Sequence, residues 1–169
     1  MSISIIIPVY NEILNLNGTY KNLSKAIDLI NLKDYEIIFI NDCSTDDSLS
    51  KLQELSIKNK NIIIINNETN IGLSNSIQKG IKFSKKKYIW WMPSDNNLKS
   101  EEITKMMEKY YNYDFIFTKH VIERGIFRKF VSNSFTILVN IVFNLKMPYY
   151  NSLFLIKKEH FKKIEIKSE

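Results

Sequence analysis

In "SISIIIPV", residues 2–9, the stretch "SIIIPV" is too uniformly apolar for a strand with one wetted face. It reads as a strand buried on both sides, so the sheet it belongs to needs cover above and below. The next segments supply that cover in regular alternation. Residues 14–32 place Leu16, Tyr20, Leu23, Ile27 and Ile30 near helical spacing, and "YEIIFI" at 35–40 is a second buried strand. Residues 44–58 read as a helix, with Ser44 or Thr45 as its cap and Asp46 and Asp47 in its first turn. "NIIII" at 61–65 is the third strand, 72–85 the third helix and 87–92 the fourth strand. A helix over 100–111 and a strand over 113–118 continue the rhythm. Strand and helix in strict alternation predict an α/β fold with a mostly parallel central sheet and helices on both faces. After residue 119 the pattern changes: 124–145 reads as a helix holding the apolar run "FVSNSFTILVNIVFNL", and "SLFLI" at 152–156 as a late strand.

A chain of 169 residues, 44% hydrophobic and 25% charged, suits one globular domain with a sizeable core. The single cysteine, Cys43, excludes an intramolecular disulfide framework and a cysteine-based zinc site, and fits a reducing compartment. No secretion signal opens the sequence and no apolar run reaches the roughly 20 residues that span a bilayer. A cytoplasmic location follows as an expectation, with peripheral contact at the cytoplasmic membrane face as a variant of it. The net charge of +6 favours anionic partners, although Lys85, Lys86 and Lys87 read as the basic end of a helix.

In open parallel sheets, ligands bind beyond the carboxyl ends of the strands. Polar residues gather at those ends: Asn11 and Glu12 after the first strand, Asn41 and Asp42 after the second, Asp95 after "YIWWMPS". Carboxylates placed there suit hydrogen bonding to a base or ribose, or holding a hard divalent cation on a diphosphate. Asp95 and the side chain of Asn97 would supply half a shell for Mg2+ or Mn2+. The four glycines, Gly18, Gly72, Gly80 and Gly125, build neither a dinucleotide fingerprint nor a P-loop. Gly72 either admits a nucleotide against its backbone or begins a helix. His120 and His160 carry no nucleophile signature and are too few for a histidine metal site.

"SIIIPVYNE", "IIFINDCSTDDSLSKL" and "NETNIGLSNSIQKGIKFSKKKYIWWMPSDNNL" together resemble the family 2 glycosyltransferases, and particularly their dolichyl- or polyprenyl-phosphate branch. The resemblance implies a Rossmann-like GT-A nucleotide-sugar-binding fold, with residues 1–98 as the donor half and 99–169 as a shortened acceptor half. It implies that Pro8, Tyr10 and Glu12 frame base and ribose, that Asp42 and Gly72 bind the nucleoside, and that Asp95 holds both diphosphate and metal with Asn97. Pro93 stands where many members carry a further acid, so the metal site lacks one ligand. "RKFVS" resembles the segment in which an arginine and a serine grip phosphate, nominating Arg128 and Ser132, with Lys119 or Arg124 as a second cation. Asn151 to Phe154 departs from the family's later pattern.

The acceptor class can be read from the acids. A hydroxyl acceptor wants a general base, and Glu123 is the only carboxylate between residues 115 and 158. A phosphate monoester, with a second pKa of about 6, needs none. The expectation is inverting transfer from a nucleotide sugar to a lipid phosphate, without nucleic acid as a partner. A hydroxyl-directed transferase of cell-surface polysaccharide and a non-catalytic nucleotide-sugar-binding relative are the alternatives.

Overall fold

The computed structural model describes residues 2–109, 113–118, 126–147 and 153–161. In chain order the elements are β1 (Ser2–Val9), α1 (Ile13–Leu29), β2 (Asp34–Asn41), α2 (Ser48–Lys58), β3 (Ile62–Asn66), α3 (Leu73–Phe83), β4 (Tyr88–Trp91), α4 (Ser100–Glu108), β5 (Phe115–Thr118), α5 (Ile126–Val142), β6 (Leu153–Lys157) and α6 (Lys158–Phe161). They divide into two compact units, residues 1–116 with 154–169, and residues 117–153.

The sheet order is β3-β2-β1-β4-β6-β5. β1 is central, parallel to β2 from Ser2 opposite Asp34 to Val9 opposite Asn41, and parallel to β4 from Ile3 opposite Tyr88 to Ile6 opposite Trp91. The chain thus builds outward through β2 and β3, then crosses back to lay β4 on the other side of β1. That reversal opens a crevice at the carboxyl ends of β1 and β4. The late strand runs against its neighbour: β6 pairs antiparallel with β4, with Ile89 opposite Ile156.

Alternation of side chains along the strands gives the sheet two apolar faces. Ile6, Ile38, Ile40 and Ile89 form a buried cluster on one face, with Ile81 of α3 and Phe161 of α6 packed against it. On the opposite pleat Ile5, Ile37, Phe39 and Trp90 are wholly buried, while α1 lies against both α2 and α4. Helices cover both faces of β1 and β2, so the uniform isoleucine run has no wet side to accommodate.

Two expectations need correction. The helix read over 44–58 begins only at Ser48. Its would-be cap and first turn instead serve the start of α1. Ser44 Oγ accepts from the Asn11 backbone N–H at 3.0 Å, Ser48 Oγ from Glu12 N–H at 3.0 Å, and Asp46 Oδ2 from Ile13 N–H at 3.1 Å. The other Asp46 oxygen accepts from Ser48 N–H at 3.0 Å, so one carboxylate serves the beginnings of two helices. The second correction concerns Lys85–Lys87. α3 ends at Phe83, and the lysines are tied to the amino ends of the strands. Lys85 N–H donates to buried Glu36 at 2.6 Å, Lys86 N–H donates to Ser4 Oγ at 3.2 Å, and the Lys86 ammonium pairs with Asp34.

Burial pushes the Asp46 carboxyl up, but the hydrogen bonds from Ser48 and Ile13 outweigh it and hold its pKa below the ordinary 3.8. A depressed folded-state pKa contributes stability above the unfolded pKa and loses it as pH falls through the folded value. Asp46→Asn is therefore expected to cost about 1 kcal/mol at neutral pH, in the range of a lost helix cap. The gap from wild type should close as pH drops below about 3.8; thermal unfolding of both proteins across that range measures it.

Candidate active site

The carboxyl ends of β1, β2 and β4 open into one cavity of about 380 Å3. Its walls come from Pro8 near the end of β1, Tyr10 and Glu12 after it, Asp42 after β2, Asn70 and Gly72 before α3, and Pro93 and Asp95 after β4. Residues far apart in sequence therefore share one crevice at the point where strand order reverses. Every nucleotide-site residue named from the sequence borders it. Tyr10 is half exposed. Glu12 accepts from Asn15 Nδ2 at 2.6 Å, which fixes its carboxylate at the first turn of α1.

Asp42 is 4% exposed, and protein groups occupy much of its carboxylate. Oδ1 accepts from Asn67 Nδ2 at 2.8 Å and from Ile71 N–H at 2.9 Å, and Oδ2 accepts from Gly72 N–H at 2.9 Å. Its first task is to hold the turn before α3. Gly72 has φ +81° and ψ 162°, a combination close to glycine-only, yet a Cβ there would meet nothing within 4 Å. The glycine is required by backbone conformation, and it both begins α3 and borders the cavity. Asp42 also borders the cavity.

Asp95 is set by α1. Thr19 Oγ1, almost fully buried, donates to Ser94 C=O at 2.8 Å and accepts from Asn96 N–H at 3.1 Å. Asn96 adopts a left-handed φ of +58°, and its Oδ1 accepts from Asn22 Nδ2 at 3.0 Å. Gly18 makes room: a Cβ there would fall 2.3 Å from Asn96 Nδ2. Gly18, Thr19 and Asn22 thus clasp the loop on either side of Asp95. Sequence reasoning passed over all three, although a lone glycine inside a helical pattern signals close packing.

Asn97 donates twice to Asp95, from N–H at 3.2 Å and from Nδ2 at 2.7 Å. Its amide nitrogen faces the carboxylate, so service as an oxygen ligand requires the amide to rotate. Among the described residues no group of three or more His, Cys, Asp and Glu could hold a metal. One exposed-side carboxylate and one amide oxygen fit a hard cation that takes its other ligands from substrate phosphate and water.

Arg128 and Ser132 both lie in α5, one turn apart, a spacing that puts them on the same helix side. Ser132 is half-buried, and the Arg128 side chain lies outside the described set. Lys119, Glu123, Arg124 and Asn151 also fall outside the described residues. α5 itself is apolar and exposed: Phe130, Phe135, Ile137, Leu138, Ile141 and Val142 are each more than half accessible. No helix among the described residues is long and apolar enough to cross a membrane.

A mostly parallel sheet with this crevice and these strand-end acids defines a GT-A-type α/β fold. The profile of Glycosyl transferase family 2 matches residues 4–164, and the chain belongs to that family. An uncharacterized glycosyltransferase of Bacillus subtilis is 29% identical over 148 residues, covering 86% of this chain and 46% of the relative. The dolichol-phosphate mannosyltransferase of Saccharomyces cerevisiae is 30% identical over 112 residues, covering 66% and 42%. The chain thus spans less than half the length of these two relatives. Among solved structures, a Pyrobaculum calidifontis mannosyltransferase in complex with GDP-mannose and Mn2+ superposes with a TM-score of 0.65 at 11% identity, covering 95% of this chain and 46% of that one.

Gly72→Ala should destabilise the fold by about 1–3 kcal/mol through backbone strain alone, read as a shift of the urea midpoint. Thr19→Val keeps the shape but removes a donor and an acceptor. It should cost about 1–3 kcal/mol, because Ser94 C=O and Asn96 N–H lose their partner, measured in the same titration.

Proposed function

We propose that the chain transfers a sugar, with inversion, from a nucleotide-sugar donor in the strand-end cavity to the phosphate of a polyprenyl or dolichyl lipid. The observation that carries the acceptor class is α5. Its apolar side chains stand exposed, and no carboxylate occurs from residue 126 to 147, while Arg128, Lys129 and Lys146 supply positive charge. Such a helix suits an anionic lipid surface and a phosphate, and it offers no base for a hydroxyl. The likeness to a dolichol-phosphate mannosyltransferase supports the same choice. On this reading the protein works in the cytoplasm, in peripheral contact with a membrane.

The chain's own groups have distinct tasks. Asp42 and the Gly72 turn receive the nucleoside, with Pro8, Tyr10 and Glu12 around base and ribose. Asp95 and a rotated Asn97 would hold Mg2+ or Mn2+, which supplies charge stabilisation to the leaving diphosphate. Arg128, with its planar donor fork, and Ser132 orient the acceptor phosphate. An acceptor oxygen lone pair forms the new bond to the anomeric carbon. The bond from that carbon to the donor diphosphate breaks, and its electron pair leaves on the nucleoside diphosphate. The ionised acceptor brings no proton that must be removed. Orientation and fixed charge carry the acceleration.

Pro93 favours a second reading, binding without turnover, because it stands where many family members carry an acid. One assay separates these readings. UDP- and GDP-sugars are offered with a short polyprenyl phosphate or with free saccharides. Transfer to the lipid phosphate is expected, with Arg128→Ala losing roughly tenfold or more in kcat/KM and Asp95→Asn losing ion-dependent donor binding by a similar factor. Transfer to saccharide hydroxyls that depends on Glu123 would overturn the acceptor assignment. Donor binding without any transfer would select the second reading.

A further inference from the structure

Behind Asp42 lies a chain of buried polar contacts that the site as described leaves unexplained. Asn67, 3% exposed, follows β3, and its backbone N–H donates to Asn41 C=O at 2.9 Å. Its side-chain nitrogen donates to Asp42 Oδ1 at 2.8 Å and to Ser76 Oγ at 3.2 Å. Its side-chain oxygen accepts from the Lys79 ammonium at 2.6 Å. Ser76 and Lys79 stand three residues apart on α3, the helix whose N-terminus is the Gly72 turn.

A carboxamide has two ends of nearly the same shape and opposite polarity. Inverted, Asn67 would press its oxygen against the Asp42 carboxylate. A cation on the far end removes that alternative, since an ammonium has no acceptor to offer an NH2 group. A charge-assisted contact at this length is also stronger than one between neutral groups. A lysine serving only as a solvated helix cation would extend into water. Lys79 is instead half-buried, with its ammonium on a buried acceptor.

We propose that Lys79 is a positioning residue for nucleotide recognition: through the Asn67 amide it fixes the Asp42 carboxylate and, with it, the Asn70-Ile71-Gly72 turn. The inference rests on the reading that Asp42 receives the nucleoside. Without the cation the Asn67 oxygen loses its charged donor, the amide is oriented from the Asp42 side alone, and the carboxylate that receives the Ile71 and Gly72 N–H groups is held less firmly.

The test uses the full chain, with UDP and GDP as calorimetric probes and hydrogen exchange of the Ile71 and Gly72 amides as a readout needing no ligand. Lys79→Met is expected to bind nucleotide roughly tenfold more weakly, the size of one lost hydrogen bond to a charged group. Turn-amide exchange should quicken by a similar factor and the melting temperature fall by a few degrees as the buried Asn67 oxygen loses its donor, while kcat at saturating donor stays near wild type. Lys79→Arg, which keeps the cation, should recover both, along with most of the binding. In an Asp42→Asn background, Lys79→Met should add little. Wild-type binding and exchange in Lys79→Met, with binding lost in Asp42→Asn, would overturn the role of Lys79 alone. So would an equal loss with and without the Asp42 carboxylate. Wild-type affinity in Asp42→Asn would sink the nucleoside assignment itself, and the binding role of Lys79 with it.

Discussion

A buried carboxylate has to be matched by donors, because a bare charge in a low-dielectric interior costs several kcal/mol. Asp42 meets that demand with the Asn67 amide and the N–H groups of Ile71 and Gly72. Much else on this side of the crevice follows from it. The end of β2 is joined to the start of α3, and the turn between β3 and α3 is drawn to the cavity edge. Gly72 then has to adopt a backbone conformation that side-chain-bearing residues avoid. A single buried charge thus organises the loop that borders the cavity.

α1 does the corresponding work for the other acid. The N–H groups of Asn11, Glu12 and Ile13 at its start are received by Ser44 and Asp46 of the loop after β2 and by Ser48 at the head of α2, while its middle turns clasp the loop after β4. One rigid helix therefore fixes the spacing between the loops that flank the crevice. Rigid support of this kind holds a binding constellation more closely than the loops alone. The near-contact of Gly18 with Asn96 shows how little slack the arrangement has.

The sheet was legible because isoleucine-rich runs buried on two faces leave few other readings; the bounds of β1 from the sequence coincide with those observed. The strand-end acids were legible for the same reason, since alternation fixes which end of each strand is the rim. Direction of a late strand was not. "SLFLI" has the same pattern whichever way it runs, and only pairing with β4 shows that it is antiparallel. The start of α2 was misread because Ser44 and Asp46 have the chemistry of helix caps but serve a helix more than thirty residues earlier. The contacts of Thr19, Asn22 and Lys79 with the loops around the cavity were invisible for a related cause. Polar side chains at helical spacing look solvated until a loop from elsewhere is laid against them.

The antiparallel pairing of β6 has a bearing on how the molecule is made. β4 gains its outer neighbour only from residues 153–157, after α4, β5 and α5 have been synthesised. Until then Tyr88, Ile89 and Trp90 form an open, apolar border with free backbone groups, the kind of surface that captures stray strands. A nascent chain halted before Leu153 would expose that border beside a finished crevice. Chaperone capture or self-association would be drawn to that border sooner than to the already covered β1 and β2.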